Sequence, residues 1–241
     1  MRIDKLLANM GYGSRKEVKA LLKQGVVKVG DQVVKSPKEH VDVEKDEVTV
    51  LGEIVEYKEF VYLMMNKPPG VISSTEDSEH ETVIDLLALE DSIFEPFPVG
   101  RLDKDTEGLL LITNDGQLAH QLLSPKKHVP KKYFAVIDGI VTEEDVAAFR
   151  EGVVLDDGYE TKPGELTILE SGETSEIELV ITEGKFHQVK RMFESVGKTV
   201  TYLQRLEMGP LKLDETLELG EYRELTEEEV ELLKTVHDAK E

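Results

Sequence analysis

The sequence predicts an α+β chain in two parts. Residues 1–57 form a small basic module, and residues 58–241 form a larger acidic body with a largely antiparallel mixed sheet. Three observations carry this reading. Charge is split: residues 1–40 hold nine Lys or Arg against four Asp or Glu, a charge of +5, which leaves −26 on the rest of a chain whose net charge is −21. Apolar residues recur first at helical spacing and later as strand-like runs. Strands and helices then alternate without a strict strand–helix–strand rhythm, which disfavours an all-parallel sheet.

In the first module, Ile3, Leu6, Leu7 and Met10 fall at i, i+3, i+4 and i+7 and predict a helix that Gly11 and Gly13 end. Ser14-Arg15-Lys16-Glu17 reads as a capping box for a second helix, with Val18, Leu21 and Leu22 as its buried stripe and Gly25 as its stop. Val26–Val29 and Val33–Val34 read as strands about a Gly30-Asp31 turn. Lys16, Lys19 and Lys23 share the exposed face of the second helix. That is either an ordinary solvated face or a track for phosphates. The charged stretch 56–59 marks the boundary, and Phe60–Met65 opens the larger part as a buried strand. Further strands are expected at 133–138 and 177–182, and helices at 143–150 and 226–236, the last capped by Thr226.

Bulk properties narrow the chemistry. The 241 residues suffice for one large or two ordinary domains. There is no cysteine, which excludes disulfides, thiolate metal sites and cysteine nucleophiles. The six histidines lack paired ligand spacing, so no metal is expected. No run approaches the roughly 20 apolar residues that span a bilayer, and Arg2, Asp4 and Lys5 interrupt the first ten residues. Neither a signal peptide nor a membrane partner is expected, and the cytoplasm is the expected location. A monomer is the default. The acidic balance argues against nucleic acid at first sight, but the basic module answers that objection.

Four segments carry candidate chemistry. In Gly100-Arg101-Leu102-Asp103-Lys104-Asp105-Thr106-Glu107-Gly108, Asp103 lies on a loop leading into Leu109–Ile112, an apolar run that predicts a strand buried on both faces. Asn114-Asp115-Gly116 follows as a turn signal. A loop aspartate backed by a rigid strand is either catalytic or a turn cap. In Glu183–Phe193, the residues Val189, Met192, Phe193 and Val196 are helically spaced, and His187, Lys190, Arg191 and Glu194 share the other face. Lys190 and Arg191 sit early in that helix, where the dipole disfavours cations by a few tenths of a kcal/mol or more. An anionic partner is implied, either carboxylates or phosphates; an ion pair with Glu194 is the plainer alternative. Pro130-Lys131-Lys132-Tyr133 brings a basic loop into a strand, and Tyr133 is either a stacking platform or ordinary sheet. Asn66-Lys67-Pro68-Pro69-Gly70-Val71-Ile72-Ser73-Ser74 reads as a rigid turn after a strand.

In this order, with Arg205 and Gly209-Pro210-Leu211 added, these segments resemble the pseudouridine synthase superfamily. They are most similar to its RsuA branch, the ribosomal small-subunit pseudouridine synthase A type. The first 50 or so residues resemble the S4-like RNA-binding domain. The likeness runs from residue 1 to about 235. It implies an S4-like domain at 1–57, a pseudouridine synthase catalytic domain at 58–241, no cofactor, and ribosomal RNA as partner, 16S RNA or a small-subunit assembly intermediate. It implies catalytic roles for Asp103, Tyr133 and Lys190, with Arg191 as second choice for the basic partner. Arg101, Arg191, His187, Gln188, Arg15, Lys16, Lys19 and Lys23 are the expected RNA contacts, and Arg101 is expected to help displace the target base. His187-Gln188-Val189-Lys190-Arg191 favours the small-subunit branch, because large-subunit relatives more often carry Asn-Arg-Gln-Val-Arg-Arg there. Three rivals remain: a synthase acting on 23S ribosomal RNA, a non-catalytic RNA-binding assembly protein, and a glycosidase using Asp103 with Asp105 or Glu107. The intact Arg101, Asp103, Tyr133 and Lys190 set disfavours the second, and the basic module disfavours the third.

Overall fold

The computed structural model describes residues 1–236. The chain divides into two compact units, Met1–Val61 with Leu87–Pro96, and Tyr62–Leu86 with the chain from Phe97 onward. The boundary drawn from sequence at 57/58 falls four residues before this division. It also leaves out the 87–96 segment, whose only marks in the sequence are short apolar groups among acids.

In the first unit, α1 (Ile3–Asn9) and α2 (Arg15–Gln24) precede β1 (Val27–Val29), β2 (Gln32–Val33), β3 (Val48–Val50) and β4 (Glu53–Ile54). The strands form an antiparallel sheet in the order β2-β1-β3-β4. The capping box forms as the sequence predicts: the Glu17 carboxylate accepts from Ser14 N–H at 2.7 Å, and Glu17 N–H donates back to the Ser14 hydroxyl. Gly25 ends α2 in the left-handed region at φ 75°, which suits glycine. Ile3, Leu6, Leu7, Val18, Leu22 and Val27 are fully or almost fully buried, so both predicted stripes face one core. The short α3 (Leu89–Ser92) belongs to this unit, and Ile93 packs against Gly11, where a Cβ would meet Ile93 Cδ1 at 2.8 Å.

The second unit contains β5 (Tyr62–Lys67), β6 (Phe97–Pro98), β7 (Glu107–Thr113), α4 (Gly116–Leu123), β8 (Lys131–Asp138), α5 (Glu143–Glu151) and β9 (Glu165–Glu170). β10 (Thr174–Ile181), α6 (Gln188–Ser195), β11 (Thr199–Met208), β12 (Leu211–Lys212), β13 (Tyr222–Glu224) and α7 (Glu227–Thr235) follow. The sheet runs β13-β5-β7-β11-β8-β10-β9, with β6 beside β7 and β12 beside β11. Only the β7–β11 pair is parallel among the described strands, so the expected largely antiparallel mixed sheet is what forms.

Local sequence explains most of these elements. β7 is covered on both faces, as its unbroken apolar run requires, and every residue from Gly108 to Thr113 is buried. β8 alternates, with Tyr133, Ala135 and Ile137 buried. Thr226 and Glu229 form a capping box that opens α7.

Two expectations need correction. Phe60 is exposed and the strand starts at Tyr62, running on through Asn66 and Lys67, which the sequence had assigned to the turn. Asn114-Asp115-Gly116 does not stand as a turn by itself. The Asp115 carboxylate accepts from Gln117 N–H and Leu118 N–H at 3.1 and 3.0 Å, and so caps α4, a helix the turn signal concealed.

Gly108 sits where β7 meets β11. Its φ is 102°, and a Cβ there would overlap the Arg205 carbonyl and lie 2.7 Å from the Arg205 nitrogen. Gly158 has a similar φ of 84° but open space around it. Gly108→Ala should therefore lower stability by about 3 kcal/mol, roughly 6–12 °C in Tm, against about 1 kcal/mol for Gly158→Ala, where only backbone strain acts. Calorimetric unfolding of both variants checks this; equal losses would mean that contact with β11 contributes nothing.

Candidate active site

The site is built on a loop that the fold suspends from backbone carbonyls. Residues 99–106 join β6 to β7. Ser73 clamps the first half: its hydroxyl donates to Leu102 C=O at 3.1 Å and accepts from Leu102 N–H at 3.0 Å. Lys67, at the end of β5, fastens the second half. Its ammonium is buried and donates to the carbonyls of Pro68, Lys104 and Thr106 at 2.9, 3.3 and 2.9 Å. Gly70 N–H adds a bond to Lys104 C=O at 2.8 Å. Burial brings the Lys67 ammonium down to about 8, although the charges of Asp105, Asp103 and Glu107 oppose that shift.

The opposing wall is the start of α6. Lys190 Nζ stands 3.3 Å from Asp103 Oδ2 and 2.7 Å from Asp105 Oδ1. The sequence expected a Lys190–Asp103 pair; the structure gives a three-membered cluster in which the shorter contact goes to Asp105. Asp105 is 73% exposed and Asp103 25%, so the more sheltered carboxylate is Asp103. The hydrogen bond from Lys190 holds the Asp105 carboxyl below the usual carboxylate range. Burial alone would lower the Lys190 ammonium, but its bond to Asp105 and the charges of Asp103 and Asp105 outweigh that and raise it. His187 caps α6 from the left-handed region at φ 50° and puts Nε2 3.6 Å from Asp103 Oδ1.

Tyr133 reaches the same place from β8 and is buried. With Arg101, Leu102, Asp103, Gln188 and Leu203 it lines a cavity of about 80 Å³. A larger cavity of about 530 Å³ shares Arg101, Asp103 and His187 and adds Ser73, Lys104 and Phe186. Arg101 is exposed and borders both.

Not every residue named from sequence gathers here. The Arg191 guanidinium turns to Asp156 at 2.6 Å, to Asp157 at 2.7 Å and to Phe186 C=O, so it does not stand in for Lys190 beside Asp103. Gln188 is buried with its amide engaged, donating to Glu183 at 2.8 Å and accepting from Lys185 N–H at 2.8 Å. It fixes the loop before α6 while lining the same cavity as Asp103 and Tyr133. Glu194 is exposed and takes no part in holding Lys190 or Arg191. Arg15, Lys16, Lys19 and Lys23 lie together on α2 in the first unit, all exposed.

Sequence reasoning missed Lys67, Ser73 and Phe186. Lys67 and Ser73 act through bonds to residues 29–39 positions away, which no local pattern announces. Phe186 is 75% exposed and stacked on the His187 ring at 3.7 Å. An aromatic preceding a helix full of charges was its one available signal.

Comparison with known proteins fits this geometry. The RNA pseudouridylate synthase family matches residues 61–195, and the S4 domain matches residues 1–48. An RNA pseudouridine synthase of Bacillus subtilis (strain 168), YtzG, is 60% identical over 235 residues, covering 97% of this chain and 98% of its own. The ribosomal small subunit pseudouridine synthase A of Vibrio cholerae is 43% identical, with 95% and 98% covered. The ribosomal large subunit pseudouridine synthase B of Bacillus subtilis is 38% identical, with 98% and 97% covered. A crystal structure of a pseudouridylate synthase matches with a TM-score of 0.68 at 37% identity, covering 97% of this chain and 99% of that one.

The Lys67 tether makes a pH prediction. Its folded pKa of about 8 lies below the ordinary 10.5. Between those values the unfolded chain holds a proton that the folded chain has lost, so this group adds stability as pH rises through that window. Lys67→Met should be less stable than wild type, because three buried carbonyls lose their donor. The gap in urea midpoint between the two proteins should widen from pH 7.5 to pH 10. A gap independent of pH would show that the buried ammonium is not shifted.

Proposed function

The chain belongs to the RNA pseudouridylate synthase family, with an S4 domain ahead of the catalytic one, and from that premise we propose that it isomerises a specific uridine of 16S ribosomal RNA to pseudouridine, using Asp103 and no cofactor. The observation that carries the assignment of Asp103 is the Lys190–Asp103 contact of 3.3 Å at a cavity walled by Tyr133 and Arg101.

The reaction breaks the bond from C1′ to N1, turns the freed uracil and joins C1′ to C5. Nothing is oxidised or reduced. Asp103 acts on the sugar, either by attack or by removing a proton, and both roles need its charged form. Lys190 supplies the counter-ion, and Asp105 shares that ammonium from the solvent side. The base must leave its stack, at a cost of a few kcal/mol. Arg101, exposed at the mouth, fills the vacated place, and Tyr133 stacks against the uracil. His187 contributes to the same wall. Lys16, Lys19 and Lys23, with Arg15, give α2 a phosphate-binding face that adds affinity without reading sequence. The protein acts in the cytoplasm as a monomer, where ribosomal RNA is made and assembled.

The choice of 16S RNA rests on the relatives named as small-subunit synthases and on the Lys190-Arg191 pattern. A second reading, a synthase for 23S RNA, is favoured by the 38% identical large-subunit synthase. Tritium release from C5-labelled uridine in each RNA, free and in partly assembled particles, separates the two.

In that assay Asp103→Asn should fold and bind RNA but lose release altogether. Asp105→Asn should keep its rate within about a factor of ten, since an exposed ion pair contributes roughly 0–1 kcal/mol. Turnover by the Asp103 variant would remove it from the mechanism. Replacing Lys16, Lys19 and Lys23 together by Ala should weaken RNA binding and flatten its dependence on salt by roughly 0.7–0.9 for each phosphate that α2 no longer neutralises. An unchanged salt slope would show that this face does not meet RNA.

A further inference from the structure

Several cations in the second unit pair with carboxylates. Lys132 pairs with Glu178 at 2.7 Å, Lys198 with Asp145 at 2.9 Å, and Lys190 and Arg191 with the aspartates already described. Others, Lys67 and Arg205 among them, bond to backbone carbonyls instead, and three lysines without an ion pair lie together. Lys131, Lys162 and Lys185 converge with Tyr159 and Glu183 on a cavity of about 170 Å³, and among the described residues none of the three forms an ion pair within 4 Å.

Their actual contacts are weak substitutes. Lys131 Nζ donates to Val129 C=O at 3.2 Å. Lys162 Nζ lies 3.0 Å from His128 Nδ1, one basic group against another. Lys185 Nζ lies over the Tyr159 ring, 4.4 Å from its centre. The single carboxylate in the wall, Glu183, has its hydrogen-bonding capacity taken up elsewhere. One oxygen accepts from Lys162 N–H at 2.9 Å and from Gln188 at 2.8 Å, and the other accepts from the Tyr159 hydroxyl at 2.6 Å. His128 takes a left-handed φ of 50°, uncommon for a residue with a side chain. Burial, with the Arg205 charge adding to it and the Glu183 charge opposing it, brings the Lys131 ammonium down to about 8, so a further anion here would also stabilise its charged form.

We propose that this cavity is a phosphate subsite that seats a backbone phosphate of the RNA strand next to the extruded uridine. Its position suits that role. Gly184 and Lys185 border this cavity, the cavity of Asp103 and Tyr133, and the one beside Phe186. A strand whose base enters beside Asp103 passes its phosphates across that shared wall. Extrusion of a base turns the strand about its backbone, and a fixed phosphate resists the return. On a chain of net charge −21, three amines around one carboxylate give the anionic strand a local attraction. The contact positions the strand and reads no base.

The inference rests on the RNA synthase reading, and its test is arranged to fail separately. The probe is a fluorescein-labelled, uridine-rich single-stranded RNA, with binding followed by anisotropy across a KCl series. Lys131→Gln with Lys162→Gln should bind about tenfold more weakly at low salt, with a salt slope smaller by about 1.4, two phosphate contacts at roughly 0.7 each. Lys162→Gln with Lys185→Gln, which leaves the half-buried Lys131 in place, should show the same loss and guards against misfolding of the first variant. Lys162→Arg should keep the wild-type slope. Lys212→Gln with Lys234→Gln makes the same change in net charge at carboxylate-paired positions that do not line this cavity and should leave the slope unaltered.

Absence of wild-type binding, equal slopes for the cavity variants and wild type, or an equal loss in the Lys212 and Lys234 control, overturns the subsite. Tritium release by wild type is measured alongside. Its absence from either ribosomal RNA, with the slope difference intact, would sink the synthase reading and leave the subsite standing. Release with equal slopes would do the reverse.

Discussion

The buried ammonium of Lys67 is the interaction on which the site depends. Burying a cation costs several kcal/mol unless its hydrogen bonds are met. Here they are met by three carbonyls, of Pro68, Lys104 and Thr106. No carboxylate is consumed, so Asp103 and Asp105 stay available to Lys190. The same bonds fix the turn after β5 to the loop before β7, strands that already pair from Tyr62 with Thr113 to Lys67 with Gly108. A second buried cation, Arg205, donates to Leu109 C=O at 2.8 Å just beyond. The loop is therefore held at Leu102 by Ser73 and at Lys104 and Thr106 by Lys67, and its two aspartates project from a rigid base.

Charge is distributed around the site with the same economy. Lys190 and Arg191 occupy the first turn of α6, against its dipole. The sequence left two kinds of anion open as their partners. The structure answers with carboxylates for both: Asp103 and Asp105 for one, Asp156 and Asp157 for the other. A phosphate competing for either cation would have to displace an aspartate. The amines around His128 and Tyr159 form no ion pair among the described residues, and the one carboxylate beside them, Glu183, is held by hydrogen bonds from Tyr159, Lys162 N–H and Gln188, so an incoming phosphate need not displace it.

Much of the fold was legible because it follows from local chemistry. The capping boxes at Ser14 and Thr226 form, the unbroken run at Leu109–Ile112 lies buried on both faces, and the largely antiparallel sheet appears. The site was legible only in part. Asp103, Tyr133 and Lys190 were recognisable by motif, and the structure brings all three to one cavity region, but Lys190's closer tie to Asp105 depends on rotamers. Arg191 stood as second choice to Lys190, because adjacency in sequence does not reveal that adjacent helical residues point about 100° apart. Lys67 looked like part of a turn, since nothing local distinguishes a lysine that snorkels to water from one drawn inward by distant carbonyls. The helix after Asp115 was hidden by a strong turn signal that was in fact its cap.

The segment 183–187 ties these threads together. Glu183 is buried, and hydrogen bonds from Tyr159, Lys162 and Gln188 overcome the effect of its burial and hold it below the usual carboxylate range. From this anchor the chain passes the two residues shared by all three cavities and reaches Phe186 and His187. His187 holds a left-handed conformation that costs about 1 kcal/mol or more for a residue with a Cβ. Two interactions offset that cost: the ring stack on Phe186 and the approach of Nε2 to Asp103. A helix that began in the ordinary way would lose both, and would point His187 away from the carboxylate. The strain is thus coupled to the aspartate on one side and, through Lys185, to the phosphate cavity on the other, so the geometry of chemistry and the geometry of grip are set by the same five residues.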